Sequence, residues 1–239
     1  MNKIDRTLPI FPLPIFLLPE GITRLRIFEQ RYLKMIKIAS KGQGFVIWLN
    51  SQESSSPLIK WGSWVEIINF DLGDDGVLEV DVKCKSLVDI ISLNKDEDNL
   101  HFGVVNEKLH WSQNKSVVEE IEDEKEHVKI KNTDQDFCSA NKLSKNTISS
   151  PLVLPSNVSL ISSEQKDLRD KMLAEPLNEL FSNDLQLNKF YPANLRQNPH
   201  WVVARWLEIL PLNLSVKSTF VNIHSFEEAK NFVQSVINK

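Results

Sequence analysis

Residues Leu8–Ile36 read LPIFPLPIFLLPEGITRLRIFEQRYLKMI. Pro9, Pro12, Pro14 and Pro19 each remove a backbone donor and hold φ near the extended range, so the apolar run cannot continue as a helix. A membrane span is thereby excluded, on length as well. Lys3 and Arg6 imitate the basic start of an export signal, but no small-x-small cleavage site follows, and Glu20 and Arg24 interrupt the run. The stretch is therefore expected to belong to the mature fold, with Leu8–Leu18 extended along the rim of a sheet, where prolines are tolerated. After Gly21, Ile22, Leu25 and Ile27 stand against Arg24 and Arg26, the period of a half-buried strand. Tyr32, Met35, Ile36 and Ala39 then fall on one helical face, Glu29 suits the helix N-terminus, and Gly42 lies just past the end. A short strand, Phe45–Leu49, follows.

The rest of the first half continues in this β-rich manner. Trp64–Cys84 reads as a hairpin turning at Gly73-Asp74-Asp75-Gly76, its return strand setting Leu78, Val80, Val82 and Cys84 against Glu79, Asp81 and Lys83. Leu87–Leu93 and Phe102–Leu109 supply two more strands. Residues 1–111 are thus expected to form a unit of about six strands with a single early helix. Residues 112–150 change character: Glu119, Glu120, Glu122, Asp123, Glu124, Lys125 and Glu126 are nearly continuous, which suits a polar linker or loop insertion. Residues 151–239 read as a helical subdomain. Ser162-Ser163-Glu164-Gln165 and Ser225–Glu228 have the form of capping boxes, Pro176 marks a kink or boundary, and Asn198-Pro199 opens a helix that Pro211 closes. Trp201, Trp206 and Leu210 are expected to form the face by which the helices close on the β unit.

At this point the order LPIFPLP, PEG and RLRIFEQRYLKMI resembles the opening of the Lon N-terminal, substrate-binding domain family, whose pattern runs LPLFPL, PG, LPLRIFEPRYLDMV. Glu20 is inserted before Gly21, and Gln30 stands where proline usually follows the glutamate. Trp201–Val221, WVVARWLEILPLNLSVKSTFV, is similar to the family's later helix ending in LPL. The resemblance implies an α+β fold, a PUA-like twisted β pseudobarrel followed by a C-terminal helical bundle. A free-standing member, without the ATPase and peptidase domains, is expected, because the motifs those domains need are missing from the sequence.

Composition and motifs bear on the chemistry independently. With 28 basic against 32 acidic residues there is no global field for phosphate backbones, so nucleic acid is not expected as a partner, and neither is a membrane. Cys84 and Cys138 lack any CxxC spacing, which suits a reduced, cytoplasmic setting. All seven glycines lie at or before Gly103, and none stands in a GxxxxGK loop able to cradle phosphates. No GxSxG occurs, and no serine precedes Ala-Gly as the family's serine-lysine peptidase would need. His101, His110, His127, His200 and His224 show no HxxxH or HExxH spacing, so no metal or other cofactor is expected. Asp71, Asp75 and Gly76 fail as a calcium loop at Gly73 and Val82 and are read as turn chemistry. Cys84 lies on an apolar face and is read as core, and the resemblance places a glycine there in most relatives.

What remains is surface for recognition. Six tryptophans exceed the needs of a small barrel, and Trp48, Trp61 and Trp64 cluster around the second and third strands. These three, with Tyr32 and Arg31 of the most specific motif, are the candidate peptide-binding residues. Core packing for the indoles, and a junction-fixing cap and ion pair for Glu29, Arg31 and Tyr32, remain open beside that reading. An open edge near the proline-rich segment could also accept an extended chain. The resemblance implies a non-catalytic binder of unfolded or exposed polypeptide segments, with a Lon-type protease as a further partner. The alternatives are a structural or adaptor subunit of a full-length protease, and a small hydrolase with an unrecognised site.

Overall fold

The computed structural model describes residues 5–49, 60–113, 163–191 and 195–238. The acidic run, Cys138, His127 and Ser162 of the first expected capping box lie outside them. The element order is β1 (Arg6–Pro12), β2 (Ile22–Ile27), α1 (Gln30–Ala39), β3 (Phe45–Trp48), β4 (Trp61–Leu72), β5 (Leu78–Lys95) and β6 (His101–Lys108). Helices α2 (Ser163–Asn183), α3 (Leu185–Phe190), α4 (Pro199–Ile209), α5 (Leu214–Thr219) and α6 (Phe226–Ile237) follow, with a 3-10 turn at Leu195–Gln197.

The strands form one six-stranded sheet in the order β2-β5-β4-β3-β1-β6, and an additional β5–β6 pairing joins β5, β4, β3, β1 and β6 into a ring. β5 makes this possible by its length. Its first residues pair with β2 (Ile22↔Lys83 to Ile27↔Leu78), and its last pair with β6 (Leu87↔Lys108 to Lys95↔His101). The sequence suggested two strands here because the ladder skips Lys85: Val65 faces Cys84 while Trp64 faces Ser86. One extra residue shifts the inside-outside alternation, so one continuous strand looks like two.

β1 is not the rim strand expected from its prolines. It pairs in parallel with β3 and antiparallel with β6. The parallel pairing starts only at Ile10↔Val46 and stops at Pro12↔Trp48, so Pro9 precedes it and Pro12 ends it. Pro9 and Pro12 thus stand at the two limits of the parallel ladder, while Pro9 faces Phe102 within the β6 ladder, so a proline-rich strand sits between two others. A parallel pair needs a crossover, and β2 and α1 lie within it.

Both faces of this sheet are covered. Ile10, Val46, Trp48 and Trp64 belong to a small core cluster on one face, while Phe11, Phe45, Ile47 and Val65 join a large cluster on the other. The run FVIWL is therefore apolar throughout, as a strand buried on both sides requires. The large cluster continues through Trp111, Leu177, Phe181, Val203 and Leu207 to Val233, so the helices share one core with the sheet. α4 lies at its centre, with every residue from Trp201 to Leu207 buried.

The helix signals held in part. Asn198 caps α4 by accepting from the N–H groups of His200 and Trp201, with Pro199 in the first turn, and Gly42 follows α1 at φ +99°. Ser225 precedes α6 without capping it, because its hydroxyl donates to Asn222 O at 2.7 Å. Glu29 likewise makes no side-chain cap to α1. Pro176 lies inside α2 rather than at a boundary.

The hydrogen bonds that cross between helices and sheet do not come from Trp206, whose indole donates to Leu173 O of α2 at 2.9 Å. They come from polar groups. Glu208 accepts from Leu18 N at 2.6 Å, and Arg205 donates to Glu208 at 2.9 Å and to Pro19 O at 3.0 Å. The Tyr191 hydroxyl accepts from Ile22 N at 2.6 Å, and Trp111 donates to Phe220 O at 2.9 Å. Leu210 is only half-buried at this seam.

Candidate functional site

A cavity of about 370 Å³ opens where β1 ends, β2 turns into α1 and β6 begins. Phe11, Pro12 and Leu13 line it from the first strand, Arg26, Phe28 and Glu29 from the turn, Arg31 and Tyr32 from α1, and His101 from β6. The local sequence explains the shape. The buried positions of β2 end at Ile27, and Phe28 takes the outward position that follows Arg24 and Arg26, so this apolar residue is 73% exposed at the mouth. Tyr32 faces inward from the first turn of α1, with its ring centroid 4.2 Å from that of Phe11.

The charges at this cavity are already matched. Arg31 donates to Glu29 at 2.8 Å and lies over the Tyr32 ring at 4.7 Å. Arg26 is bonded to Asp75 of the β4–β5 turn and lies 3.5 Å from Glu79. Burial pushes the Tyr32 hydroxyl above its ordinary value and pushes His101 below, the latter helped by Lys95 and Arg31. His101 is thus held neutral, and its Nδ1 is buried without a hydrogen-bond partner. The result is an aromatic-walled hollow with guanidinium planes at its rim and no net demand for an ionic ligand. It suits an apolar or aromatic side chain presented by a polypeptide.

Of the five residues singled out by sequence, the cavity brings together Arg31 and Tyr32. The tryptophans lie elsewhere. Trp48 and Trp64 are buried in the small core cluster, and the Trp64 indole donates to Gln43 O at 2.9 Å. Trp61 is half-buried and packs edge-on against Phe16, centroids 5.9 Å apart. Trp48 comes nearest, its ring 6.4 Å from His101. Sequence reasoning missed Phe11, Pro12, Leu13, Arg26, Phe28 and His101. The apolar Phe28 at an outward position was the available signal.

Other reactive groups are sealed. Cys84 is fully buried, and desolvation pushes its thiol well above the ordinary range, so it stays protonated. Among the described residues no group of three or more His, Cys, Asp or Glu side chains is placed to hold a metal ion. No helix among them is long and apolar enough to cross a membrane.

The six-stranded sheet and the helices packed on it define the class: a mixed α+β domain similar in fold to the N-terminal domains of Lon proteases. The family model described as the ATP-dependent protease La (LON) substrate-binding domain matches residues 7–233, and the chain belongs to that family. The comparison with curated proteins gave no match. Among solved structures, the fold is similar to a Lon N-terminal domain protein from Xanthomonas campestris, with 20% identity and a TM-score of 0.55 over 93% of this chain and 95% of that one. It is also similar to the N-terminal domain of Mycobacterium avium complex Lon protease, with 10% identity and a TM-score of 0.54 over 98% and 99% of the two chains.

Proposed function

We propose that this chain is a non-catalytic polypeptide-binding module, and that the cavity at the β2–α1 turn receives an apolar side chain from an exposed or unfolded segment. The observation that carries the reading is the exposed Phe28 over an aromatic hollow whose two arginines are neutralised by Glu29, Asp75 and Glu79. A neutral, greasy side chain gains from such a site, whereas an ion would have to displace an internal partner. Membership of a substrate-binding family points the same way.

The finer architecture we favour is a PUA-like pseudobarrel over residues 1–111, a linker over 112–150 and a helical bundle over 151–239. Ring closure through the β5–β6 pairing supports the first part. A cytoplasmic setting agrees with the buried free thiol of Cys84. A direct test is fluorescence anisotropy with reduced, carboxymethylated lactalbumin as an unfolded probe and native lactalbumin as control. Binding of the unfolded form alone, weakened in Phe28→Asp, is expected. Equal binding of both forms, or an unchanged affinity in Phe28→Asp, would overturn the assignment.

A further inference from the structure

β4 has a partner on both sides only where it starts. Residues Gly62–Val65 pair with β3, whereas Glu66–Leu72 pair with β5 alone. Beyond Phe45 the chain turns away into the α1–β3 loop, where Gly44 stands at φ +69°. Among the described residues nothing continues the ladder along this edge.

The edge is also unfinished on its apolar face. Across β2, β5 and β4 the rows run Leu25–Val80–Phe70 and Ile27–Leu78–Leu72. Leu25, Val80 and Ile27 are buried, while Phe70 is 50% and Leu72 69% exposed. The opposite face is a closed polar network, with Asn69 and Arg24 both bonded to Asp81 and Arg24 also 3.1 Å from Glu79. Among the described residues the apolar face thus runs from core to solvent at an open edge, with room for one more strand. Proteins usually protect such an edge with lysine, proline or a bulge. Here neither lysine nor proline occurs between Glu66 and Leu72; the one such feature is the bulge at Ile68, beyond which Asn69–Leu72 keep regular register with β5.

We propose that the outer edge of β4 from Glu66 to Leu72 docks an extended polypeptide segment of alternating apolar and basic residues, which adds to the sheet as a further strand. This rests on the polypeptide-binding reading and adds the conformation and charge of what is bound. Backbone groups of the edge would supply affinity, and Phe70 and Leu72 would take alternate apolar side chains. Charge decides the occupant. Glu66 and Asp74 are exposed with no cation paired to them among the described residues, and Asp71 adds a third carboxylate only 3.6 Å from its shared partner Arg24. Lysine or arginine at the alternate positions of the incoming strand answers these acids. A second copy of this chain would instead bring its own Glu66, Asp71 and Asp74 to the same edge, adding acid to acid with no basic residue to answer it.

The test uses the acetylated, amidated heptapeptide Lys-Val-Lys-Phe-Lys-Val-Lys, matched in length to the open edge, and the same peptide N-methylated at its three apolar residues. Methylation keeps every side chain and removes backbone donors. Binding to the wild type, weakened about tenfold or more by N-methylation and by Phe70→Lys, and retained in Phe28→Asp, is expected. The analogue with glutamate for lysine should bind more weakly still. Equal affinity of the methylated peptide, or indifference to Phe70→Lys, would overturn the proposal. So would a concentration-dependent dimer in sedimentation that Phe70→Lys dissolves, since the occupant would then be a second copy. If carboxymethylated lactalbumin binds while the heptapeptide does not, the edge proposal alone falls. If neither binds, the polypeptide-binding reading falls with it.

Discussion

Glu208, near the end of α4, accepts a hydrogen bond at 2.6 Å from the backbone N–H of Leu18, 190 residues earlier in the chain. The same oxygen takes a hydrogen bond from Arg205, whose guanidinium also reaches the carbonyls of Leu18 and Pro19. Between β1 and β2 the peptide groups of the segment are met by α4, by the backbones of Trp48 and Cys84 and by the Ser63 hydroxyl. This loop thereby joins α4 to the sheet, beside the Tyr191–Ile22 and Trp111–Phe220 bonds.

Above pH 7, where Glu208 is ionised, removing its carboxylate leaves Arg205 buried and uncompensated. Glu208→Ala should therefore lower stability by about 3 to 5 kcal/mol, and Glu208→Gln by less, since the amide oxygen can still accept from Leu18. Urea melts of the two variants beside the wild type check this. Equal losses would mean that charge, and not the hydrogen bond to Leu18, holds the seam.

Gly21 and Glu20 make a matched comparison in the same loop. A Cβ on Gly21 would stand 2.5 Å from Glu208 Oε1 and 2.8 Å from Leu18 O, so Gly21→Ala should destabilise by about 1 to 3 kcal/mol. Glu20 has φ +68°, a conformation that glycine adopts without strain, and its gain is an exposed ion pair with Lys83. Glu20→Gly should thus move stability by less than about 1 kcal/mol in either direction. Thermal melts that show the reverse order would refute this account of the inserted residue.

Trp206 is buried, and its indole bonds to Leu173 O, joining α4 to α2. Trp206→Ala should cost about 3 to 5 kcal/mol without altering affinity for unfolded polypeptide in the fraction that folds. A weakened capture with an unshifted unfolding midpoint would make Trp206 a recognition residue instead.

Much of this fold was legible because local and global signals agree. The strand-to-helix passage from Ile22 to Ala39 carries both periods cleanly, and both elements form there. Three features were not. β1 reads as an edge because prolines 9 and 12 lack donors, yet they fall at the limits of its parallel ladder. The skip at Lys85 breaks the alternation of β5 and hides its continuity. The tryptophans read as surplus, but Trp48 and Trp64 fill a second core created when the sheet closes, a tertiary event no local pattern encodes. Of the cavity, Arg31 and Tyr32 could be picked out because they sit within one motif, whereas His101 arrives only through strand pairing.

The last prediction concerns two buried groups that titrate in opposite senses. Burial pushes Glu208 up from 4.5 to about 7, against the attraction of Arg205. Its raised value means that its contribution to stability is fully present below pH 4.5 and is lost as pH rises through 7. Burial pushes His110 down from 6.5 to about 3, where its ring lies against Trp111 and bonds to Ser112. That contribution is present above pH 6.5 and is lost as pH falls through 3. The Asp81 carboxylate, held below its usual range by its bond to Arg24, adds a loss confined to more acid conditions. Between pH 4.5 and 6.5 the Glu208 and His110 slopes oppose each other, and above 6.5 only that of Glu208 remains. Urea midpoints measured from pH 4 to 8 should show the wild type losing ground to Glu208→Gln as pH rises, and to His110→Gln as pH falls. A flat difference curve for Glu208→Gln would mean that this carboxylate is ionised throughout and that Arg205 compensates it fully.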